Sequence, residues 1–224
     1  EHVIKGNLRL GNVNTLVLDE ADRMLDMGFQ DALDNIIEGI PDKRQTLLLS
    51  ATYPKQIESV AARYMTDPIM VKAESTHDDV TIEQHFFELS DSVSRIEALQ
   101  RLLMQYKPAS TVIFCNTRKE TQQVADALFD NDFSALALHG EMEQRDRDQT
   151  LIRFANNSAS ILVATDVAAR GLDIEALDAV INYEVARDSE IHVHRVGRTG
   201  RAGSKGMAFT LYEPKERFRI DRLE

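Results

Sequence analysis

Val-Asn-Thr-Leu-Val-Leu-Asp-Glu-Ala-Asp, residues 13–22, joins a short apolar run to a cluster of carboxylates. The run does not alternate in polarity, which is typical of a strand buried on both faces of a parallel sheet. Asp19 and Glu20 would then stand at the carboxyl end of that strand, where α/β sheets bind their ligands. One carboxylate there could hold a hydrated Mg²⁺, and its neighbour could orient an attacking water. The competing interpretation is that these acids only cap the following helix.

Apolar runs of this kind recur along the chain and alternate with stretches of helical periodicity. The strand candidates are 13–18, 45–49, 69–73, 83–89, 111–115, 134–138, 160–164, 178–182 and 206–212. The helical candidates are about 30–39, 54–65, 92–105, 117–130, 142–155 and 189–199. This alternation predicts an α/β fold, doubly wound, with parallel sheets and helices on both faces.

A polar segment without periodicity, residues 73–82, separates two regions and is predicted to be a linker. The second region, residues 83–224, contains six strand candidates and is expected to be a complete domain. The first region, residues 1–72, contains three, which is few for a sheet covered by helices on both faces. We therefore expect it to be the carboxyl-terminal half of a domain whose first half is not in this sequence.

The composition is that of a globular protein: 43% of residues are hydrophobic, 28% are charged, and no stretch of about 18 uncharged apolar residues occurs. The net charge of −11 disfavours broad nucleic-acid binding, since phosphate contacts depend on lysine and arginine. Residues 194–205, with four basic residues and no acid, favour a local phosphate site instead. The single cysteine, Cys115, excludes an internal disulfide, is predicted to be a buried thiol, and suits a reducing compartment.

Residues 194–201, His-Arg-Val-Gly-Arg-Thr-Gly-Arg, place three arginines at steps of three. Because residues three apart share one side of a helix, Arg195, Arg198 and Arg201 are expected to project together toward phosphate. The alternative is a solvated basic helix end. The two glycines between the arginines count against it, since glycine costs about 1 kcal/mol in a helix interior, and they predict close approach of another surface.

Two turns after predicted strands carry hydroxyl groups. Ser-Ala-Thr at 50–52 could hydrogen-bond the carboxylates of the neighbouring strand, with a helix cap as the alternative. Thr165 could contact a phosphodiester and Asp173 a ribose hydroxyl, with an ordinary strand-to-helix turn as the alternative. None of the ten glycines is followed by lysine, so the sequence contains no Gly-x-x-x-x-Gly-Lys phosphate loop. His192 and His194 lack further ligands at zinc spacing, so no metal site is expected there.

Seven motifs, in order along the chain, resemble those of the DEAD-box RNA helicases. They are Val-Leu-Asp-Glu-Ala-Asp (17–22), Ser-Ala-Thr (50–52), Val-Ile-Phe-Cys-Asn-Thr (112–117), His-Gly (139–140), Gln144-x-x-Arg147, Ala-Thr-Asp-x-Ala-Ala-Arg-Gly-Leu-Asp (164–173) and His-Arg-x-Gly-Arg-Thr-Gly-Arg (194–201). The resemblance covers essentially the whole chain and is greatest to the bacterial DEAD-box protein A group. It implies RecA-like parallel sheets, in a partial first domain and a complete second domain.

The resemblance also implies roles for individual residues. Asp19 would hold Mg²⁺ through water, and Glu20 would position the hydrolytic water. The residues that contact ATP would be Gly171, Asp173, Arg198 and Arg201. Contacts to the RNA backbone would come from Thr117, Arg147 and Thr165. Coupling between the domains would come from Asp22, Ser50, Thr52 and His194.

The implied function is that of an ATP-dependent RNA helicase, which closes two RecA-like domains around ATP and RNA and melts short duplexes. The implied cofactors are ATP and Mg²⁺ and the implied partner is RNA. Ribosome assembly on ribosomal RNA is the expected context, and we expect a cytoplasmic monomer. In the family the phosphate loop precedes these motifs, so we expect this chain alone not to hydrolyse ATP. The alternatives are a non-catalytic module that binds RNA or docks a partner, and a DNA helicase of the same superfamily.

Overall fold

The computed structural model describes residues 2, 3, 5–26, 28–50, 53, 55–72, 82–90, 92–169, 177–200 and 205–223. The chain divides into two compact units, Glu1–Glu74 and Ser75–Glu224. In each unit, parallel strands alternate with helices. The expected α/β class with parallel sheets is therefore confirmed.

The first unit contains a two-stranded parallel sheet and three helices. The strands are β1, Thr15–Leu18, and β2, Gln45–Leu48, and they pair with Leu18 opposite Leu48. The helices are α1, Ala21–Asp26; α2, Gln30–Ile37; and α3, Lys55–Tyr64. A small core joins the sheet to α2 and α3 through Leu18, Leu33, Val60 and Tyr64.

The strand expected at 69–73 is wrong for the described part of that segment, because residues 69–72 form no strand. Ile69 and Val71 are 88% and 87% exposed, and no described strand pairs with them. The preference of apolar residues for strands depends on pairing and burial more than on side-chain type. An apolar run without a neighbouring strand therefore need not adopt strand structure.

The second unit is built around a six-stranded sheet in which every neighbouring pair is parallel, in the order β3-β8-β7-β4-β6-β5. The strands are β3, Ile82–Glu88; β4, Thr111–Cys115; β5, Ala135–Leu138; β6, Ile161–Thr165; β7, Ala179–Asn182; and β8, Gly206–Tyr212. The helices are α4, Arg95–Tyr106; α5, Arg118–Phe129; α6, Gln144–Ala155; α7, Ser189–Val196; and α8, Arg217–Ile220, which follows a 3₁₀ turn at Pro214–Glu216.

The central strands are buried on both faces, as their unbroken apolar sequences predict. Successive residues of a strand point to opposite faces. Ile113 and Cys115 of β4 accordingly pack into one core cluster, while Val112 and Phe114 pack into another. Burial raises the pKa of the Cys115 thiol, and the nearby carboxylates of Glu184 and Glu120 raise it further. The prediction of a buried thiol is confirmed.

Helix and strand ends differ from the sequence expectation where local contacts decide them. The helix expected from residue 92 begins at Arg95, because Ser94 caps it and exchanges hydrogen bonds with Glu97 at 3.3 Å and 2.9 Å. The helix expected to reach residue 199 ends at Val196. Most of the predicted linker, residues 73–81, lies outside the described residues, and Ile82 already belongs to β3.

Candidate functional site

The carboxylates of the first unit lie at the carboxyl end of β1. Asp19 is exposed, and its Oδ1 accepts a hydrogen bond from the Glu20 backbone N–H at 2.9 Å. Glu20 has φ 48°, in the left-handed region, so the chain turns sharply between the strand and α1. The turn leaves the Asp19 carboxylate facing solvent, where a single carboxylate could hold a hydrated Mg²⁺ bridged to phosphates.

The turn after β2 meets the start of α1. The backbone N–H of Asp22 donates to Ser50 Oγ at 3.3 Å, and Asp22 is 4% exposed. Because β1 and β2 are adjacent and parallel, their carboxyl ends bring these two motifs together. Thr52, expected to act with them, lies outside the described residues. The role of Asp22 and Ser50 in coupling to His194 stays a prediction.

The expectation that three arginines project together is wrong for Arg195. This residue is 1% exposed, and its guanidinium points into the second unit. It binds both carboxylate oxygens of Asp166, through Nε at 2.6 Å and Nη2 at 2.9 Å. The spacing of the arginines could not indicate this, since α7 turns Arg195 toward the sheet and Arg198 lies beyond the helix end.

Arg195 connects three segments at the carboxyl edge of the sheet. Besides Asp166 after β6, it binds Asn116 Oδ1 after β4 at 2.8 Å, and Asn182 Oδ1 and the Glu184 carbonyl near the end of β7 at 3.2 Å and 2.9 Å. Its guanidinium also lies over the Phe114 ring, 5.2 Å from the centroid. Sequence reasoning missed this network. The signal that could have found it is that Asn116, Asp166 and Arg195 each lie in one of the quoted motifs, 112–117, 164–173 and 194–201.

Arg198 follows α7 in a segment fixed by backbone contacts. Gly197 caps the helix, the Arg198 N–H donates to the Arg195 carbonyl at 3.1 Å, and the Arg198 carbonyl accepts from Leu177 N–H at 3.4 Å. The next residue, Thr199, donates its hydroxyl to the Leu177 carbonyl. Arg198 is half-buried, and Arg201 lies outside the described residues.

The glycines of this segment have local roles within the second unit, and the expected close approach of another surface stays a prediction. Gly200 has φ +66°, which glycine adopts without strain, and Gly197 ends the helix. Within this unit, the backbone approaches closely at Gly206, where an added Cβ would overlap Thr199 and Gly200. The start of β8 therefore supports the segment after Arg198.

The three candidate RNA ligands lie at one edge of the second sheet. Thr117 follows β4 and caps α5, with its hydroxyl accepting from Glu120 N–H at 3.2 Å. Thr165 ends the neighbouring strand β6 and is 8% exposed. Arg147 lies on α6, which follows β5, the next strand in the sheet. The Arg147 Nε is buried and has no hydrogen-bond partner among the described residues. It could therefore donate a hydrogen bond to an external acceptor.

Two carboxylates stand beside Thr117. Glu184 Oε2 accepts from the Asn116 backbone N–H at 2.6 Å, and Glu120 lies in the first turn of α5. Burial and the adjacent carboxylate of Glu184 raise the pKa of Glu120. The phosphate-binding candidates therefore stand close to negative charge.

The structure says less about the remaining predicted site residues. Gly171 and Asp173 lie outside the described residues, and His194 is half-buried on α7. Within the described part of the chain, no group of three or more His, Cys, Asp or Glu residues is arranged to hold a metal. No helix in that part is long and apolar enough to span a membrane.

His192 is a buried histidine with a structural role. It is 5% exposed, its Nε2 lies 3.0 Å from Gln84 Oε1, and its ring stacks on Phe86 with centroids 6.1 Å apart. Burial, with a smaller effect of the Arg195 charge, lowers the pKa of His192 from 6.5 to about 4. The ring is therefore neutral at pH 7.

We predict that acid destabilises the second unit through His192. Between pH 6.5 and about 4 the unfolded ring is protonated while the folded ring stays neutral, so the unfolded state binds more protons. This stability is complete above pH 6.5 and is lost as the pH falls to 4, by about 3 kcal/mol in total. Urea unfolding across this range should show the loss, and His192→Gln should flatten it. An unchanged pH slope in that variant would contradict the assignment.

Comparison with known proteins places this fold and these motifs in a family. Residues 1–60 match the family model for the DEAD/DEAH box helicase, and residues 94–203 match the helicase conserved C-terminal domain. The chain is 32% identical to Escherichia coli DEAD-box protein SrmB in a crystal structure with regulator of ribonuclease activity A, covering 63% of this chain and 84% of that one at TM-score 0.60. The chain belongs to the DEAD-box helicase family.

Among its relatives, this chain is 56% identical to ATP-dependent RNA helicase DbpA of Escherichia coli, over 96% of this chain and 47% of the relative. It is 41% identical to the DEAD-box ATP-dependent RNA helicase CshA of Bacillus subtilis, over 100% of this chain and 45% of the relative. Saccharomyces cerevisiae Dbp5 bound to RNA and ADP BeF3 matches with TM-score 0.86 at 27% identity, over 98% of this chain and 58% of that one. The expected likeness to the bacterial DEAD-box protein A group is confirmed, and the chain spans about half the length of the curated relatives.

Proposed function

We propose that the protein is an ATP-dependent RNA helicase that uses ATP hydrolysis to separate short RNA duplexes. The observation that carries the proposal is the gathering of Thr117, Thr165 and Arg147 at one edge of the second sheet. Hydroxyl and guanidinium donors of this kind bind phosphates and position a strand without reading its bases. Two relatives named as ATP-dependent RNA helicases support it.

The residues proposed to contact the nucleotide are those that the family resemblance implies in each unit. Asp19 would hold Mg²⁺ through water, and Glu20 would orient the attacking water. Bound Mg²⁺ would neutralise phosphate charge. The contacts to ATP would come from Gly171, Asp173, Arg198 and Arg201. Arg198 and Arg201 would donate to the γ-phosphate, where negative charge develops in the transition state.

Coupling between the two domains is proposed to involve Asp22, Ser50, Thr52 and His194. The contact between Asp22 and Ser50 supports the part of this set that lies in the first unit. Ribosomal RNA is the proposed substrate, in ribosome assembly, with the protein acting as a cytoplasmic monomer. The resemblance of the sequence motifs to the bacterial DEAD-box protein A group is what favours this context.

The test compares the 224-residue chain with an extended protein, in which a family N-terminal half restores the phosphate loop that the resemblance implies. Mg-ATP hydrolysis is measured without nucleic acid, with RNA and with DNA. We expect turnover only from the extended protein and stimulation by RNA only, while Glu20→Gln in the extended protein should abolish turnover. Robust RNA-stimulated hydrolysis by the shorter chain would contradict the proposed inactivity. A folded extended protein without turnover would contradict the helicase assignment, and equal stimulation by DNA would favour a DNA helicase.

A further inference from the structure

Arg118 lies beside one of the candidate RNA ligands and is paired with an acid. It is the first residue of α5, directly after Thr117. Its Nη1 lies 2.5 Å from Glu141 Oε1, and the two side chains are 59% and 60% exposed. The pair is therefore open to solvent on the same surface as the proposed RNA site.

Glu141 belongs to the turn between β5 and α6, and α5 holds this turn at a second point. His139 Nε2 lies 3.3 Å from Gln122 Oε1, and the Gln122 amide donates to Asp126 at 2.7 Å. Since Asp126 accepts from the amide nitrogen, the amide oxygen faces His139. The start of α5 and this turn thus form one continuous surface, which leads on to Arg147 in the first turns of α6.

The ion pair is weak enough for Arg118 to exchange Glu141 for another anion. A solvent-exposed pair contributes about 0–1 kcal/mol, because water screens the charges and two long side chains lose freedom. A phosphate offers the same guanidinium two oxygens in a bidentate arrangement. An RNA phosphate beside Thr117 could therefore replace Glu141 as the partner of Arg118 at small cost.

We propose that Arg118 is a further RNA phosphate ligand and that Glu141 competes with the phosphate for it. The inference rests on the proposed RNA binding by this surface and adds a contact and a competing anion to it. The competition lowers RNA affinity, so that a strand is held less tightly and is released more easily. The competition also predicts that the effect of Glu141→Gln on RNA affinity depends on the presence of Arg118. A general charge effect would not produce this dependence.

The experiment measures binding of a single-stranded oligouridine RNA to the 224-residue chain over a series of potassium chloride concentrations. Glu141→Gln should raise the affinity about two- to five-fold, the range expected for loss of an exposed ion pair. Arg118→Gln should lower the affinity and reduce the slope of log affinity against log salt by about 0.7. In the Arg118→Gln background, Glu141→Gln should have no effect beyond the general one of removing a negative charge.

Glu143→Gln is the matched control. Glu143 is an exposed acid of the same turn, and its side chain makes no capping hydrogen bond to α6. Glu143→Gln changes the net charge by the same amount as Glu141→Gln. Its effect on RNA affinity should therefore be the same with or without Arg118. The competition is overturned if Glu141→Gln exceeds the control by the same factor with and without Arg118, or if it only equals the control when Arg118 is present.

Arg147→Gln separates this inference from the proposed function. If Arg147→Gln weakens binding and Arg118→Gln does not, the RNA site stands and the role of Arg118 is wrong. If neither substitution changes the affinity or the salt slope, RNA does not bind this surface and both proposals fail. Weakening by both, with the expected dependence between residues 118 and 141, supports the inference.

Discussion

Replacing Arg195 with methionine should lower the free energy of unfolding of the second unit by about 3–5 kcal/mol. The guanidinium is 1% exposed, and its partners Asp166, Asn116 and Asn182 would be left without it. Asp166, with a side chain 18% exposed, would lose the cation that compensates its burial. Removal of one partner of a buried ion pair is costly for this reason. Urea unfolding followed by circular dichroism measures the change.

Arg145→Met provides the control, because Arg145 is exposed on α6 and its substitution should change the stability by less than about 0.5 kcal/mol. The double variant with Asp166→Asn should be less destabilised than the sum of the two single variants, since each already removes the same pair. A loss below about 1 kcal/mol for Arg195→Met, comparable with a surface change, would show that the network contributes little.

Arg198→Gln should lower kcat for ATP hydrolysis by about 10³-fold in the extended protein, the lower end of the range for an arginine that stabilises a transferring phosphoryl group. Glutamine keeps hydrogen-bonding groups but removes the charge that would meet the developing negative charge. Since the contact would strengthen in the transition state, kcat and kcat/KM should fall equally. Steady-state hydrolysis with saturating RNA measures both.

The control for this prediction is Arg145→Gln, which removes the same charge from an exposed position on a different helix, α6. It should leave kcat unchanged. A rise in KM with unchanged kcat in Arg198→Gln would mean that the residue contributes only to binding. Unchanged kinetics would remove Arg198 from the proposed ATP site.

Much of the architecture was predictable because local patterns and tertiary packing agree. The apolar run 111–115 predicts a strand buried on both faces, and β4 has that environment. The start of α4 is set by Ser94 and Glu97, whose capping signal was present but not used in the prediction. The strand prediction for 69–73 is wrong at residues 69–72 because no described strand pairs with them.

The sequence by itself determined the α/β class, the order of strands and helices from β3 to β8, and the family motifs. Apolar periodicity and motif order are properties of the chain that do not depend on distant contacts. Only the tertiary structure decided that Arg195 turns inward, because its direction depends on Asn116, Asp166 and Asn182 meeting at the ends of adjacent strands. The pairing of Arg118 with Glu141 depends likewise on α5 lying beside the turn after β5. The spacing of residues along the chain does not indicate such tertiary contacts.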